Sequence, residues 1–213
     1  MACSCRYILG IKVINYGGDA KSLTHCSPMK KLRLLLVLCF SLLAGACETT
    51  YYLNGDKYVG ELKSLNRQGQ GTYYYSNGDV FEGEFVNNQM HGPGTLTYAN
   101  GKKMITEFRN NKPASKGILI YPNGDQFEGD ISKGKADGRG VYTFADESRY
   151  VGPVKNDQVT GRGTITYANG DRYTGELKDG KPHGLGRKNF AEDRVPLEGR
   201  WEAGGFVRPE RIR

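Results

Sequence analysis

The chain after Cys47 consists of short runs in which apolar and polar residues alternate. Two such runs are GTLTYAN, at 94–100, and DRYTGEL, at 171–177. Alternation with a period of two predicts β-strands that bury one face. Asn-Gly stands between consecutive runs, at 54–55, 77–78, 100–101, 123–124 and 169–170. Because Asn-Gly between alternating runs is a strong hairpin signal, the pattern predicts a series of β-hairpins.

The apolar phase around the 100–101 dipeptide sets the length of the hairpin loop. With a two-residue loop, Tyr98 and Met104 would point to opposite faces of the sheet. With a three-residue loop, Leu96 pairs with Met104 and all the apolar residues share one face. The sequence therefore predicts three-residue loops, each a type I turn followed by a bulge, with glycine in the left-handed conformation.

The hairpin pattern repeats every 23 residues without an insertion. Six units run from 55 to 192, and residues 49–54 match the end of a further unit. Such a period indicates an array in which each unit buries its apolar face against its neighbours. The predicted fold is all-β, an elongated single-layer antiparallel sheet of stacked hairpins. Residues 47–54 and 193–213 are expected to be a half-repeat cap and a C-terminal partial repeat and cap.

The units resemble the MORN family (membrane occupation and recognition nexus). Its signature is an aromatic-x-Gly triplet followed nine residues later by Gly-x-Gly. The triplets that match begin at Tyr58, Phe81, Phe127, Tyr150 and Tyr173. The third unit departs from the signature, with Met104, Thr106 and Ser115 at the conserved places of the family. The resemblance implies a role in assembly, self-association or lipid contact, and members of the family occur both as scaffolds and as appendages to enzymes. Because the repeats fill the chain after Cys47, no catalytic domain is expected.

The aromatic residues of these triplets form a row on one face of the predicted sheet. In one interpretation they are the core. In the other they line an open groove for an extended peptide, a glycan or a second copy of the chain. The candidate groove residues are Tyr58, Phe81, Phe127, Tyr150 and Tyr173. The glycine two residues after each ring predicts a close contact, with the ring of the adjacent unit above it.

No constellation in the sequence predicts a catalytic residue, a cofactor or a metal site. The two histidines of the repeats, His91 and His183, lie four units apart, roughly 38 Å at two strands per unit. A row of carboxylates follows the mid-strand glycines, at Glu61, Glu84, Glu107, Asp130 and Glu176. Cross-strand pairing with Lys and Arg is the expected role of this row. The alternative is a carbohydrate- or peptidoglycan-related enzyme or accessory factor that uses these carboxylates.

The net charge of the chain is +7, but most of it precedes the repeats. Residues 48–213 hold 24 Lys and Arg against 22 Asp and Glu, a net charge of +2. Such a balance does not predict a nucleic-acid partner. It also gives little support to direct phospholipid binding by the sheet, which is a further alternative.

Residues 29–46 have the layout of a secretory signal peptide, with basic residues at 30–33, an apolar stretch at 34–46 and small residues at its end. The 13-residue apolar stretch would rise only about 20 Å as a helix, short of a bilayer core of about 30 Å. A cleaved leader is therefore expected. Residues 1–28 show no periodicity and are interpreted as an overextended or disordered N-terminus.

All five cysteines lie at or before Cys47. LAGAC, at 43–47, resembles the lipobox of bacterial lipoprotein precursors, except that Ala44 stands where the family has leucine. The resemblance implies that Cys47 is lipidated and becomes the new N-terminus. Ala44-Gly45-Ala46 also fits ordinary signal peptidase, which would release a secreted protein. The sequence thus predicts a noncatalytic lipoprotein of the bacterial cell envelope that is anchored to a membrane. Its elongated sheet is expected to bind a protein, a glycan or a second copy of the chain.

Overall fold

The computed structural model describes residues 47–192 and 194–212, and the regular structure within these ranges is entirely β. The predicted leader, 29–46, and the segment 1–28 lie outside the described residues. The strands are β1 (Glu48–Tyr51), β2 (Lys57–Lys63), β3 (Asn66–Tyr74), β4 (Val80–Val86), β5 (Gln89–Thr97), β6 (Lys103–Arg109), β7 (Lys112–Ile120), β8 (Gln126–Ser132), β9 (Lys135–Thr143), β10 (Arg149–Lys155), β11 (Gln158–Val159), β12 (Gly161–Thr166), β13 (Arg172–Lys178), β14 (Lys181–Asn189), β15 (Leu197–Glu202) and β16 (Gly205–Pro209).

These 16 strands form one open antiparallel sheet in which each strand pairs with its neighbours in sequence. The edges are β1 and β16, and each 23-residue unit contributes two strands. In the fifth unit the second strand is broken at Thr160 into β11 and β12, and both parts pair with β10. The break faces Pro153, which has no backbone N–H to donate to the ladder. The expectation of a single antiparallel sheet of hairpin repeats is confirmed.

The Asn-Gly hairpins have the predicted three-residue loops. At the 99–101 loop, the Tyr98 amide donates to the Lys102 carbonyl over 2.8 Å, and Leu96 pairs with Met104. Gly101 has φ of +85°. A side chain at this φ would be strained, which is why glycine occupies the position in five of the six units. The predicted register is therefore confirmed.

The opposite ends of the hairpins are two-residue loops. Asn87 and Asn88 join β4 to β5 with φ of +48° and +69°, and Asn110 and Asn111 join β6 to β7 with +51° and +65°. Two consecutive positive φ values define a type I′ turn, whose twist matches that of the flanking strands. Asparagine tolerates this conformation better than other non-glycine residues. The sequence carries this signal, although the sequence analysis assigned no turn type here.

The mid-strand glycines lie beneath the aromatic ring of their own unit. Gly83 and Gly94 pair across β4 and β5, and a Cβ at either position would lie 2.6–2.7 Å from the ring of Phe81. The prediction that the ring belongs to the adjacent unit is therefore wrong. Because the paired glycines have no side chains, the ring of Phe81 can lie directly over their backbone atoms.

Adjacent units contact each other through a second apolar row on the same face, which is aromatic in the second and third units and aliphatic in the others. Phe85 meets the rings of Tyr58 and Phe81 edge-on, with centroids 5.1 and 5.3 Å away. Phe108 of the third unit reaches Phe81 in the same way at 4.9 Å. Such edge-to-face pairs add to the apolar burial. A hairpin that would be marginal alone is thus stabilised by its neighbours.

Candidate functional site

The aromatic face of the sheet, called here the inner face, is closed. The residues Tyr58, Phe81, Phe127, Tyr150 and Tyr173 are all 0% exposed. Their rings therefore form the core of the sheet. Of the two interpretations of this row, the core is right and the open groove is wrong. A partner could not reach these rings without unfolding the sheet around them.

Contacts between units that are not neighbours help to close the inner face. The carboxylate of Asp157, in the turn of the fifth unit, accepts hydrogen bonds from Lys102 Nζ at 3.1 Å and from the Tyr121 hydroxyl at 2.7 Å. Both donors belong to the loops that border the third unit. In the same way, the Tyr98 hydroxyl lies against Gly134. The sheet must curve toward its inner face for these ends to meet, as a twisted antiparallel sheet does.

Burial and charge perturb the ionisable groups of this contact. Burial would raise the pKa of Asp157, but hydrogen bonds from Tyr121, the Ala136 amide and Lys102 outweigh it and hold that pKa below its ordinary value near 3.8. Burial and the hydrogen bond to Asp157 raise the pKa of Tyr121 well above its ordinary value of 10. Asp157 is therefore ionised and Tyr121 neutral near pH 7, which keeps a buried lysine paired with a carboxylate.

The opposite, outer face carries an open groove of about 950 Å³ that extends from the end of the second unit to the fifth. The groove runs across the strands, from β5 to β12. Backbone at the mid-strand glycines, including Gly129 and Gly140, forms its floor. Because side chains alternate between faces, the residues just before and just after each of these glycines point outward and form its two walls.

One wall of the groove is largely apolar. It consists of Ile105, Ile118, Glu128, Val141 and Val151. The register places these residues in a single line across five adjacent strands. Ile105 is 37% exposed and Val151 is 54% exposed. Glu128 is the one charged residue of this line, and the four aliphatic side chains on its two sides form exposed apolar surface of the kind that binds partners.

The other wall is charged and includes Glu107, Lys116, Arg139 and Arg162. Up to the fourth unit its charges alternate, and Lys116 lies 4.0 Å from Asp130. In the fifth unit Pro153 replaces the carboxylate that the other units carry. Arg139 on β9 pairs with Pro153 of β10, and β12, which carries Arg162, is the neighbour of β10 on its other side. The exposed side chains of the two arginines therefore flank the strand of Pro153, and Arg162 pairs with Glu176 of β13 on its far side. No carboxylate among the described residues is within 4.0 Å of either guanidinium.

The predicted carboxylate row lies on the outer face, against the facing strands. Asp130 accepts a hydrogen bond from the Arg139 amide at 2.9 Å, and Glu61 accepts one from the Gln70 amide at 3.4 Å. The carboxylate of Glu84 lies over Gly92, whose φ is +63°. The row thus lies against the irregular backbone of Gly-x-Gly in the first, second, fourth and sixth units. Within the described part of the chain, no three His, Cys, Asp or Glu side chains cluster closely enough to hold a metal ion.

Cys47, the predicted lipidation site, is half-buried and directly precedes the edge strand β1. The register of β1 pairs Glu48, the next residue, with Gly60. The lipobox residues before it lie outside the described part of the chain. In residues 47–192 and 194–212 there is no helix with the length and apolarity needed to span a bilayer.

The outer-face groove was not among the surfaces predicted from the sequence. Two signals in the sequence could have indicated it. The residue after the second glycine of Gly-x-Gly is threonine in the first, second and fifth units but is Ile118 in the third and Val141 in the fourth. The carboxylate row is also interrupted at Pro153. Both departures fall in the same segment of the sheet, although their adjacency follows only from the strand register.

Comparisons with known proteins agree with the repeat pattern. Six segments, 58–80, 81–103, 107–126, 127–149, 150–172 and 173–191, match the MORN repeat family. No curated protein shows significant sequence similarity to the chain.

Several solved structures are similar to the chain at low identity. The TCP domain of Drosophila melanogaster SAS-4 (dCPAP), in complex with a proline-rich motif of Ana2 (dSTIL), is 18% identical, with 84% of this chain and 99% of that chain covered and a TM-score of 0.48. The TCP10c domain of Drosophila melanogaster Sas-4 is 16% identical, with coverages of 72% and 91% and a TM-score of 0.43. The TCP10 domain of Danio rerio CPAP, in complex with a peptide of Danio rerio STIL, is 15% identical, with coverages of 74% and 82% and a TM-score of 0.24.

Proposed function

Since the chain belongs to the MORN repeat family, we propose that it is a noncatalytic scaffold whose outer-face groove binds another polypeptide. We further propose that a lipid on Cys47 anchors it to a membrane of the bacterial cell envelope. The two proposals are independent, and each has its own test.

The observation that carries the scaffold proposal is the exposed apolar wall of the outer-face groove. Ile105, Ile118, Val141 and Val151 form this wall while the aromatic face is closed. Aliphatic side chains in a line next to charged ones suit a polypeptide, which offers both kinds of side chain at regular intervals. The lining contains no aromatic ring. The glycan alternative depended on exposed rings, so no observation in the described residues favours it.

The carboxylate row gives no support to an enzymatic alternative. The carboxylates of Asp130 and Glu61 are engaged with the backbone of the facing strand. A general acid–base pair needs two carboxyl groups aimed at a bound substrate. In this row the carboxylates lie over the neighbouring strand, so a structural role accounts for them.

The place of Cys47 in the fold is compatible with the anchor. Because it directly precedes β1, a lipid on Cys47 would hold one edge of the sheet close to the bilayer surface. A diacylglyceryl group provides two acyl chains, which give stable attachment where a single chain gives only marginal attachment. The rest of the sheet would extend from that edge, with the groove in its middle.

The anchor is tested by mass spectrometry of the protein's N-terminus and by fractionation of cells. We expect a mature chain that begins at Cys47 and carries the mass of a diacylglyceryl group. The Cys47→Ser variant should be absent from the membrane fraction. The Cys39→Ser variant, which changes a thiol within the leader, should still be found there. An N-terminus upstream of residue 47, or an unmodified Cys47 in the membrane fraction, would refute the anchor.

The scaffold is tested by cross-linking in cells at the groove. A photo-cross-linker in place of Val151 should capture one defined polypeptide. Ile118→Glu should abolish this capture because it places a charge in the apolar wall. The matched control is Thr72→Glu, which occupies the same repeat position in the first unit, outside the groove. If Ile118→Glu and Thr72→Glu leave the cross-link equally strong, the groove is not the binding surface.

A further inference from the structure

The direction and spacing of the outer-face groove restrict the conformation of its partner. The groove crosses the strands, so its repeat is set by pairs of strands and not by residues along one strand. Two strands at about 4.8 Å each give a repeat of about 9.6 Å. From β6 to β12 the groove spans five inter-strand steps, roughly 24 Å.

Only one regular polypeptide conformation has a matching repeat. A polyproline II helix has three residues per turn at about 3.1 Å each, a repeat of about 9.3 Å. A β-strand presents a side chain on the same face about every 6.8 Å, and an α-helix completes a turn in about 5.4 Å. Over the two unit steps of the groove, a polyproline II segment drifts by only about 0.6 Å. It can therefore place equivalent side chains against equivalent positions of successive units.

The charge of the wall restricts the composition of the partner. Pro153, on the strand between Arg139 and Arg162, stands where the repeats would place a carboxylate. Acidic residues therefore neighbour the two arginines only on their far sides and not between them. A carboxylate from the partner would fill this gap and complete the alternation of charges along the wall. Directly across the floor, Val141 and Val151, which pair with each other, offer apolar contact. The partner therefore needs an acidic side chain toward one wall and an apolar one toward the other.

We propose that the outer-face groove binds a polyproline II segment of a partner protein in which apolar and acidic residues each recur every third position. One acidic side chain of the segment lies between Arg139 and Arg162, above Pro153. About eight residues, at 3.1 Å each, fill the groove. This inference rests on the proposed scaffold function and specifies the chemistry of its partner.

The test uses the full chain in mild detergent and three fluorescent peptides of twelve residues, measured by fluorescence anisotropy. The first is (Pro-Leu-Glu)₄, the second is (Pro-Leu-Lys)₄, and the third is a scrambled peptide with the composition of the first. We expect the first to bind, and the other two to bind at least about tenfold more weakly, the scale of one lost charge-assisted contact.

The decisive variant is Pro153→Glu. It restores the carboxylate of the other units, so it should not disturb the fold, and it fills the gap between the two arginines. We expect it to weaken binding of (Pro-Leu-Glu)₄ by about tenfold or more. Arg139→Glu together with Arg162→Glu should reverse the preference toward (Pro-Leu-Lys)₄. The control is Thr72→Glu, which changes the net charge by the same one unit as Pro153→Glu but lies outside the groove, and it should leave binding unchanged.

The outcomes separate this inference from the scaffold proposal. If the scrambled or lysine peptide binds as well as the first and Ile118→Glu abolishes that binding, the groove is a polypeptide site and the inference is overturned. If none of the peptides binds, the inference is overturned, and the scaffold proposal is decided by the cross-linking experiment. If only phosphatidylglycerol in the micelles binds, and Pro153→Glu abolishes that binding, the two arginines belong to a lipid-binding surface and the inference is also overturned.

Discussion

The ion pair between Lys102 and Asp157 joins the third unit to the fifth. Its removal tests whether that contact stabilises the whole sheet. The perturbation is Asp157→Asn. Asparagine keeps the shape of the side chain and tolerates the φ of +67° at this position. Asn88 and Asn111 hold the same turn position in the second and third units, at +69° and +65°. The substitution therefore leaves the turn intact and removes only the charge.

The magnitude follows from the burial of the two groups. The side chain of Lys102 is 10% exposed and that of Asp157 is 26% exposed. Removing one member of a buried pair costs about 3–5 kcal/mol because the other charge remains buried without a partner. The partial exposure of Asp157 places the expected loss at the low end, about 3 kcal/mol. For a chain of 213 residues this corresponds to a fall in Tm of about 6–12 °C.

The pH dependence of this loss follows from the pKa of Asp157. Hydrogen bonds and Lys102 hold that pKa below 3.8 in the folded chain, against the effect of burial. The stabilisation is therefore present above the ordinary pKa of the group and is lost as the pH falls through the depressed pKa. The difference in stability between the wild type and Asp157→Asn should be full at neutral pH and should shrink below about pH 4.

The assay is thermal unfolding followed by circular dichroism, with urea unfolding as a second measurement. The control is Glu192→Gln, which breaks the exposed pair with Arg194 and should cost less than about 1 kcal/mol. Lys102→Met combined with Asp157→Asn should be more stable than Asp157→Asn alone, because the unpaired ammonium is gone. The reasoning is refuted if Asp157→Asn is no more destabilising than Glu192→Gln, or if adding Lys102→Met makes the loss greater.

Three further predictions concern the core. Gly140→Ala should destabilise the chain by about 1–3 kcal/mol in urea unfolding, since its Cβ would lie 2.5 Å from the ring of Phe127 in a packed core; Gly205→Ala, whose nearest neighbour is 3.5 Å away, should change stability by less. Phe127→Ala should cost about 3–5 kcal/mol in the same assay, and a loss below about 1 kcal/mol would contradict its place in the core. Burial raises the pKa of Tyr173 to about 12, so its contribution to stability should be complete below pH 10 and lost as the pH rises through about 12, with tyrosinate absorbance appearing together with loss of the β signal.

The local parts of the fold could be predicted from the sequence. Alternation of apolar and polar residues determines which side chains share a face, and the phase across each Asn-Gly determines the loop length. The pairing of Leu96 with Met104 followed from these two facts alone. Both are properties of neighbouring residues, so no knowledge of the rest of the chain was needed.

The candidate site could not be predicted from the period and spacing of residues in the same way. The aromatic row was open to interpretation as core or as groove, because period and spacing show that residues share a face but not whether that face is covered. The groove on the outer face depends on which side chains stand next to one another across strands. Ile105 and Val151 are 46 positions apart in the sequence, and only the register of five strands brings them into one line.

The sequence by itself determined the repeat, the strands, the hairpin register and the residues that share a face, because each of these follows from steric preferences and burial within one or two hairpins. The tertiary structure decided which ring covers which glycine, how the inner face closes and where the outer face stays open. These features depend on twist that accumulates over many strands, and that twist brings Lys102 to Asp157 across an intervening unit. A small rotation at each strand has no signature in any single repeat, so its sum appears only in the assembled sheet.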